Sequence, residues 1–167
     1  MKEYSRHYEQ SASVNARPEV VFAYADDQRN FSSHMNQSSW MMGGGKMITE
    51  TDESNGQKVG SHIKMSGNVF GVSLSLDEVI VEHEPPHSKA WEIVGDVNLL
   101  VIDRYKLGFE ITPQTEASKL RVYIDYDLPK SWKTRLLGKM IGGMYAKWCV
   151  RQMANGTQEH FDKPPQK

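Results

Sequence analysis

The sequence predicts an α+β fold in which a strongly curved antiparallel sheet of about seven strands wraps around one long C-terminal helix. Three observations carry that expectation. Residues 46 to 127 read as strands cut by turn chemistry, and the last two of those strands alternate apolar and polar residues with a period of two. After Pro129 the spacing changes to the threes and fours of an amphipathic helix.

Taken in order, residues 6 to 15 alternate weakly and form a first strand. Ala16-Arg17-Pro18-Glu19 then opens a short helix from about Pro18 to Asp26, because proline suits the first helical turn and an acid suits its positive end. Val21, Phe22 and Ala25, three and four apart, give that helix a buried stripe. A second helical turn follows through Phe31 to Met35, and Gly43-Gly44-Gly45 ends the section. Strands are then expected over Lys46–Glu53, Gln57–Ser66, Val69–Glu84, Ser88–Val97, Leu100–Thr112 and Lys119–Asp127. The breaks between them are Glu53-Ser54-Asn55-Gly56, Pro85-Pro86 and the turn from Pro113 to Ser118. In the last pair, Tyr105, Leu107, Phe109 and Ile111 share one face, and Leu120, Val122, Ile124 and Tyr126 share one face of the next strand. Both faces are expected to line a common interior. Ser131 is a plausible N-cap for a final helix to roughly Phe161, and about thirty helical residues would reach ~45 Å, enough to cross a small sheet. Leu137, Met140, Ile141, Met144, Tyr145 and Trp148 mark its expected sheet-facing stripe.

The 167 residues suit one domain over 1–167, with loosely ordered ends at about 1–5 and 162–167. A formal net charge of −1 supplies no field to gather nucleic acid or anionic lipid, so no nucleic-acid partner is expected. The lone cysteine, Cys149, rules out an intramolecular disulfide and a thiolate metal cluster and fits a reducing cytoplasm. The charged N-terminus lacks a signal-peptide core, and no apolar run reaches the ~18 residues of a span, so stable membrane insertion is not expected. His7, His34, His62, His83, His87 and His160 show no compact metal-ligand spacing, and no P-loop, dinucleotide-binding turn or nucleophile elbow is present. No metal or cofactor is called for.

Four stretches carry a family resemblance. They are Val14-Asn15-Ala16-Arg17-Pro18-Glu19-Val20-Val21-Phe22 with Asp26, Val79-Ile80-Val81-Glu82-His83-Glu84-Pro85-Pro86 with Ala90-Trp91, Phe109-Glu110-Ile111-Thr112-Pro113, and Tyr126-Asp127-Leu128-Pro129 before the final helix. In that order they resemble the START-like or Bet v 1-like superfamily, especially its bacterial polyketide cyclase/dehydrase and lipid-transport-like members. The resemblance implies a helix-grip fold with a cavity between sheet and helix, used across the superfamily for lipids, sterols, polyketides, hormones or aromatic compounds. It implies no single reaction, because function resides in the site rather than the fold.

Candidate residues follow from the interior faces. Ligand-binding candidates are Trp40, Met42, Trp91, Tyr105, Leu107, Phe109, Val122, Ile124, Tyr126, Met140 and Met144. Trp40, Met41 and Met42 stand where the superfamily often closes its cavity mouth; the alternative is a loop tryptophan capping the core. Methionines would provide an adaptable apolar lining or merely fill gaps. Gly142 and Gly143 beside them either admit ligand or allow close packing. Tyr105, Tyr126 and Tyr145 are buried phenols that need partners, which a ligand, a backbone carbonyl or a water would provide. Tyr105 and Asp103 are the acid/base candidates, against the simpler reading that Asp103 is solvated at a strand end. Three functions remain open: binding of an apolar or aromatic small molecule, lipid- or polyketide-like; a polyketide cyclase/dehydratase-type enzyme; and a protein-interaction module.

Overall fold

The computed structural model describes residues 3–33, 46–69, 71–95, 101–129 and 138–163. Its strands are β1 (Arg6–Val14), β2 (Lys46–Thr51), β3 (His62–Val69), β4 (Val72–Glu84), β5 (Ser88–Val94), β6 (Tyr105–Gln114) and β7 (Ala117–Tyr126). They form one seven-stranded sheet in the order β1-β7-β6-β5-β4-β3-β2, and every neighbouring pair is antiparallel. Period-two alternation sets one face against the core: the paired row Ile80, Trp91, Leu107, Ile124 and Tyr8 crosses five strands on the inner side.

Two local features coil this sheet. The register of β4 against β5 slips between Ile80 and Glu82, and an extra residue of this kind bends its strand and increases its twist. At Gly67 the backbone of β2 comes so close that a Cβ would lie 2.1 Å from the Lys46 carbonyl oxygen, so no side chain fits there.

Helix α1 (Pro18–Asp26) begins with Pro18 and Glu19 as expected and buries Val21, Phe22, Ala25 and Asp26. Helix α2 (Gln28–Phe31) follows, capped by the Asp27 side chain, which accepts from the Arg29 N–H at 3.0 Å. Phe22 and Phe31 from these helices meet Phe109 with ring centroids 5.6 and 5.1 Å apart, and Phe31 stands edge-on to Trp91 at 6.1 Å. That end of the trough is filled with aromatic rings.

Lys89 fastens α1 to β5. Although wholly buried, it donates through Nζ to the Asp26 carbonyl oxygen at 2.7 Å and to Asp26 Oδ1 at 2.8 Å, while His83 Nε2 lies 3.0 Å from the same Oδ1. The ammonium thus meets both a carboxylate and the negative C-terminal end of α1. Burial pulls the Lys89 ammonium down, and the Asp26 contact opposes it.

The C-terminal segment consists of a π-helical turn, Gly138–Gly142, running into α3 (Gly143–Asp162), which packs on β1 and β7. Its buried face is Ala146, Cys149, Val150, Met153, Ala154 and Thr157, with Tyr145 and Trp148 half-buried beside it. Met140 and Met144, expected on the sheet-facing stripe, are instead 73% and 47% exposed. Hydropathy selected the large apolar side chains, whereas the sheet receives small ones that let the helix approach closely; the wider π turn also puts positions on its two sides out of phase. Gly142 belongs to this close approach, since a Cβ there would lie 2.6 Å from the Val101 carbonyl oxygen and 3.2 Å from Leu128. Gly143, in turn, faces the Tyr126 hydroxyl.

Other boundaries shift for local reasons. β3 begins at His62 rather than Gln57, because Asp52 gathers the Ser54 N–H, the Ser61 hydroxyl and the His62 N–H at 3.0, 2.5 and 2.9 Å and holds the connection as a loop. β6 and β7 run to Gln114 and from Ala117, closing on a two-residue turn with Glu116 at φ 60°. Trp40, Met41, Met42, the triple glycine, Ser131 and Leu137 lie outside the described residues.

Gly142→Ala is expected to lower stability by about 1–3 kcal/mol through overpacking. Gly156→Ala, on the same segment with nothing within 4 Å of the new Cβ, should raise it by up to about 1 kcal/mol. Urea unfolding midpoints distinguish the two. Lys89→Met should cost about 3–5 kcal/mol by removing the ammonium that neutralises buried Asp26 and leaving His83 as its remaining side-chain contact among the described residues, and combining it with Asp26→Asn should cost less than the sum of the singles in a double-mutant cycle.

Candidate functional site

The inner face of β4 carries Leu74, Leu76, Glu78 and Ile80 in strict alternation. Three of the four are apolar, so the strand pattern drives a carboxyl side chain into the core, where Glu78 is only 3% exposed. Its neighbours in the sheet are Ile63 on β3 and Ile93 on β5. From β6, Tyr105 reaches over β5, and its hydroxyl donates a short hydrogen bond to Glu78 Oε1. Among the described residues Oε2 has no hydrogen-bond partner. The Trp91 indole also favours the charged form of Glu78.

Electrostatics follow from the low polarity of this surrounding. Burial pushes the Glu78 carboxyl up to about 7, against the pull of the Tyr105 hydroxyl and the Trp91 indole; Asp77 pushes it further up and Lys89 pulls it down. Tyr105 is driven well above the ordinary phenol range, first by burial and then by the charge and hydrogen bond of Glu78. Tyr145 on α3 is raised likewise by burial and by its contact with Cys149, whose thiol is pushed up to about 12. Glu78, Tyr105, Tyr145 and Cys149 all interact electrostatically, so sheet and helix contribute to one buried polar cluster. Cys149 is a packed thiol, not an activated nucleophile.

This arrangement combines a carboxyl group titrating near neutrality, a neutral phenol bonded to it and aromatic surroundings. It can accept or donate a hydrogen bond, or hold a proton, inside an apolar compartment. Access differs along the trough. Trp91 and Phe109 are covered by the phenylalanines of α1 and α2 and Val122 is fully buried, whereas Tyr105, Tyr145 and Trp148 are half-buried. Leu107, Ile124 and Tyr126 are buried on the same inner face.

Asp103 does not join the cluster. It precedes β6, donates its backbone N–H to the Asp127 carbonyl at 2.9 Å, and lines a separate outward cleft of about 600 Å³ with Arg6, Arg104, Asp127 and Lys139. Arg104 and Asp127 are already paired there at 2.6 Å. The acidic partner of Tyr105 is therefore Glu78, not Asp103. The shared parity of positions 103 and 105 misled because the strand starts only at Tyr105, and parity has no meaning in the loop before it. Glu78 was not singled out from the sequence; the signal that marks it is an acid at an inward-parity position between Leu76 and Ile80. Trp40 and Met42 lie outside the described residues, while Met140 and Met144 point to solvent.

A helix lying in the trough of a coiled seven-stranded antiparallel sheet, with two short helices closing one end, defines a helix-grip protein of the START-like and Bet v 1-like superfamily. The chain belongs to the polyketide cyclase/dehydrase and lipid transport family, whose model matches residues 5–156. Its fold is similar to that of an aromatase/cyclase from Streptomyces, with a TM-score of 0.70 at 10% identity, covering 94% of this chain and 93% of that one. A protein from Thermus thermophilus aligns with a TM-score of 0.66 at 15% identity, over 93% and 97% of the two chains. Ara h 8.0201 aligns with a TM-score of 0.59 at 11% identity, again over 93% and 97%. No curated protein matches the chain by sequence.

The raised Glu78 group has a defined stability signature. Between about pH 4.5 and about pH 7 the folded protein holds a proton that the unfolded chain has released, so this group lowers stability as pH rises through that window. Glu78→Gln removes the dependence. The stability difference between the variant and the parent should therefore grow in the variant's favour from pH 5 to pH 8, by on the order of a few kcal/mol, in paired urea titrations.

Proposed function

We propose that the chain binds an apolar or aromatic small molecule, lipid- or polyketide-like, between the inner face of the sheet and α3. The observation that carries this reading is the buried Glu78–Tyr105 pair, which places polar chemistry inside an otherwise apolar trough. A purely structural core gains nothing from a carboxyl group with a bare oxygen, because leaving such a group unmade costs about 1–3 kcal/mol or more. A site that must orient a mostly apolar ligand needs a small number of such groups. Family membership supports the same class, and the partly exposed rings of Tyr105 and Tyr145 mark the side from which a ligand would arrive.

The second reading is a cyclase/dehydratase-type enzyme. It is favoured by one observation, a carboxyl group held near pH 7 beside a neutral phenol, which suits proton transfer at neutral pH. In that reading Glu78 exchanges the proton, and Tyr105, whose hydrogen is bonded to Glu78 Oε1, positions the carboxyl group.

Native mass spectrometry of the protein purified from its own host, followed by organic extraction, tests the binding reading. A stoichiometric apolar compound is expected, and its loss in Tyr145→Ala would tie it to the trough. An empty protein that also fails to enhance a hydrophobic fluorophore would reject the reading. For the enzymatic reading, Glu78→Gln should lower turnover of a released polyketide-like compound by about 100-fold or more, with a smaller loss in Tyr105→Phe.

A further inference from the structure

We propose that Glu78 is a selectivity device that restricts the interior to neutral molecules bearing hydrogen-bond donors, phenols or alcohols on an apolar frame, and excludes fatty acids and other carboxylates. This rests on the binding reading above and specifies its ligand class.

The interior leaves hydrogen-bonding capacity of one kind unused. Glu78 Oε1 is occupied by the Tyr105 hydroxyl, while Oε2 is buried with no partner among the described residues. A second acceptor of this kind occurs on α2, where Gln28 donates through Nε2 to Ser32 Oγ at 3.0 Å and its buried Oε1 has no partner among the described residues. With Glu78 ionised, both open positions are acceptors. Thr49 Oγ1, the third buried atom in this condition, carries its own hydrogen and can take either role. A ligand that brings acceptors alone satisfies neither Glu78 nor Gln28, whereas a hydroxyl hydrogen satisfies one of them directly.

Charge points the same way. Among the described residues Lys89 is the buried cation beside the trough, and Asp26 already holds it through two contacts. The hydrogen of Tyr105 is committed to Glu78, and Tyr145 is engaged with Cys149. A ligand carboxylate entering past Tyr105 would meet, once Glu78 is ionised, a second carboxylate instead of a counter-ion, and like charges in a low-dielectric space exclude one another. A neutral phenol meets the same oxygen as a hydrogen-bond donor, with the rings of Tyr105 and Tyr145 beside its frame.

Three probes of nearly equal size separate these cases: 2-naphthol, 2-methoxynaphthalene and 2-naphthoate, each titrated calorimetrically against the full chain at about pH 8, where Glu78 is mainly ionised. The parent protein should bind 2-naphthol about tenfold or more tightly than either of the others, the ratio that one buried hydrogen bond supplies. In Glu78→Gln the amide offers donors in place of the lone acceptor, so the naphthol preference should shrink below about threefold and naphthoate should gain. Tyr105→Phe, which frees Oε1 and keeps the carboxyl group, should retain or sharpen the preference and serves if Glu78→Gln fails to fold. Equal binding of all three probes by the parent, or tighter binding of naphthoate, overturns the selectivity while leaving the binding reading intact. Binding of none of them overturns both.

Discussion

A sheet coiled this strongly has an inner face that it cannot leave to water, and everything else in the molecule answers that constraint. The bulge at Ile80 and Glu82 and the close strand approach at Gly67 turn seven strands into a trough. Its lining is nearly continuous apolar surface from β1 to β2, and burying such surface is the dominant favourable term in folding. The short helices α1 and α2 close one end with phenylalanine rings, and α3 lies along β1 and β7.

The two ionisable groupings inside the trough are solved differently. Asp26, Lys89 and His83 satisfy one another across α1, β4 and β5, so their burial serves attachment of a helix to the sheet. Glu78 and Tyr105 are only half satisfied, and among the described residues one oxygen of their carboxyl group has no partner, at substantial free-energy cost. Native structures keep few such atoms, and those retained commonly have a functional reason. The satisfied cluster lies beneath α1 and the half-satisfied one toward Tyr145.

Much of this was readable residue by residue. The span of α1 follows from Pro18, Glu19 and the stripe Val21, Phe22 and Ala25 because caps and periodicity act within a few residues of chain. The inner faces of β6 and β7 follow for the same reason, since alternation is a property of extended backbone alone. The register of Leu107 with Ile124 and Phe109 with Val122 brings those faces together. Misreadings arose wherever a distant partner decided. The helix face turned on how close β1 and β7 would come, which favours Ala146 and Ala154 over Met140 and Met144.

By itself, then, the sequence determined the element order, the α+β class and the inward faces of the last strands, because local periodicity and turn chemistry encode them. Tertiary structure alone decided that Glu78 and Tyr105, 27 positions apart in the chain and on strands separated by β5, share one hydrogen bond. It also decided that Asp103 faces outward to Asp127 and that Lys89 is consumed by Asp26. A buried carboxyl group acquires its partner, its pKa and its vacant oxygen from groups that only the coiling of the sheet brings within reach, and that is why the site could not be read along the chain.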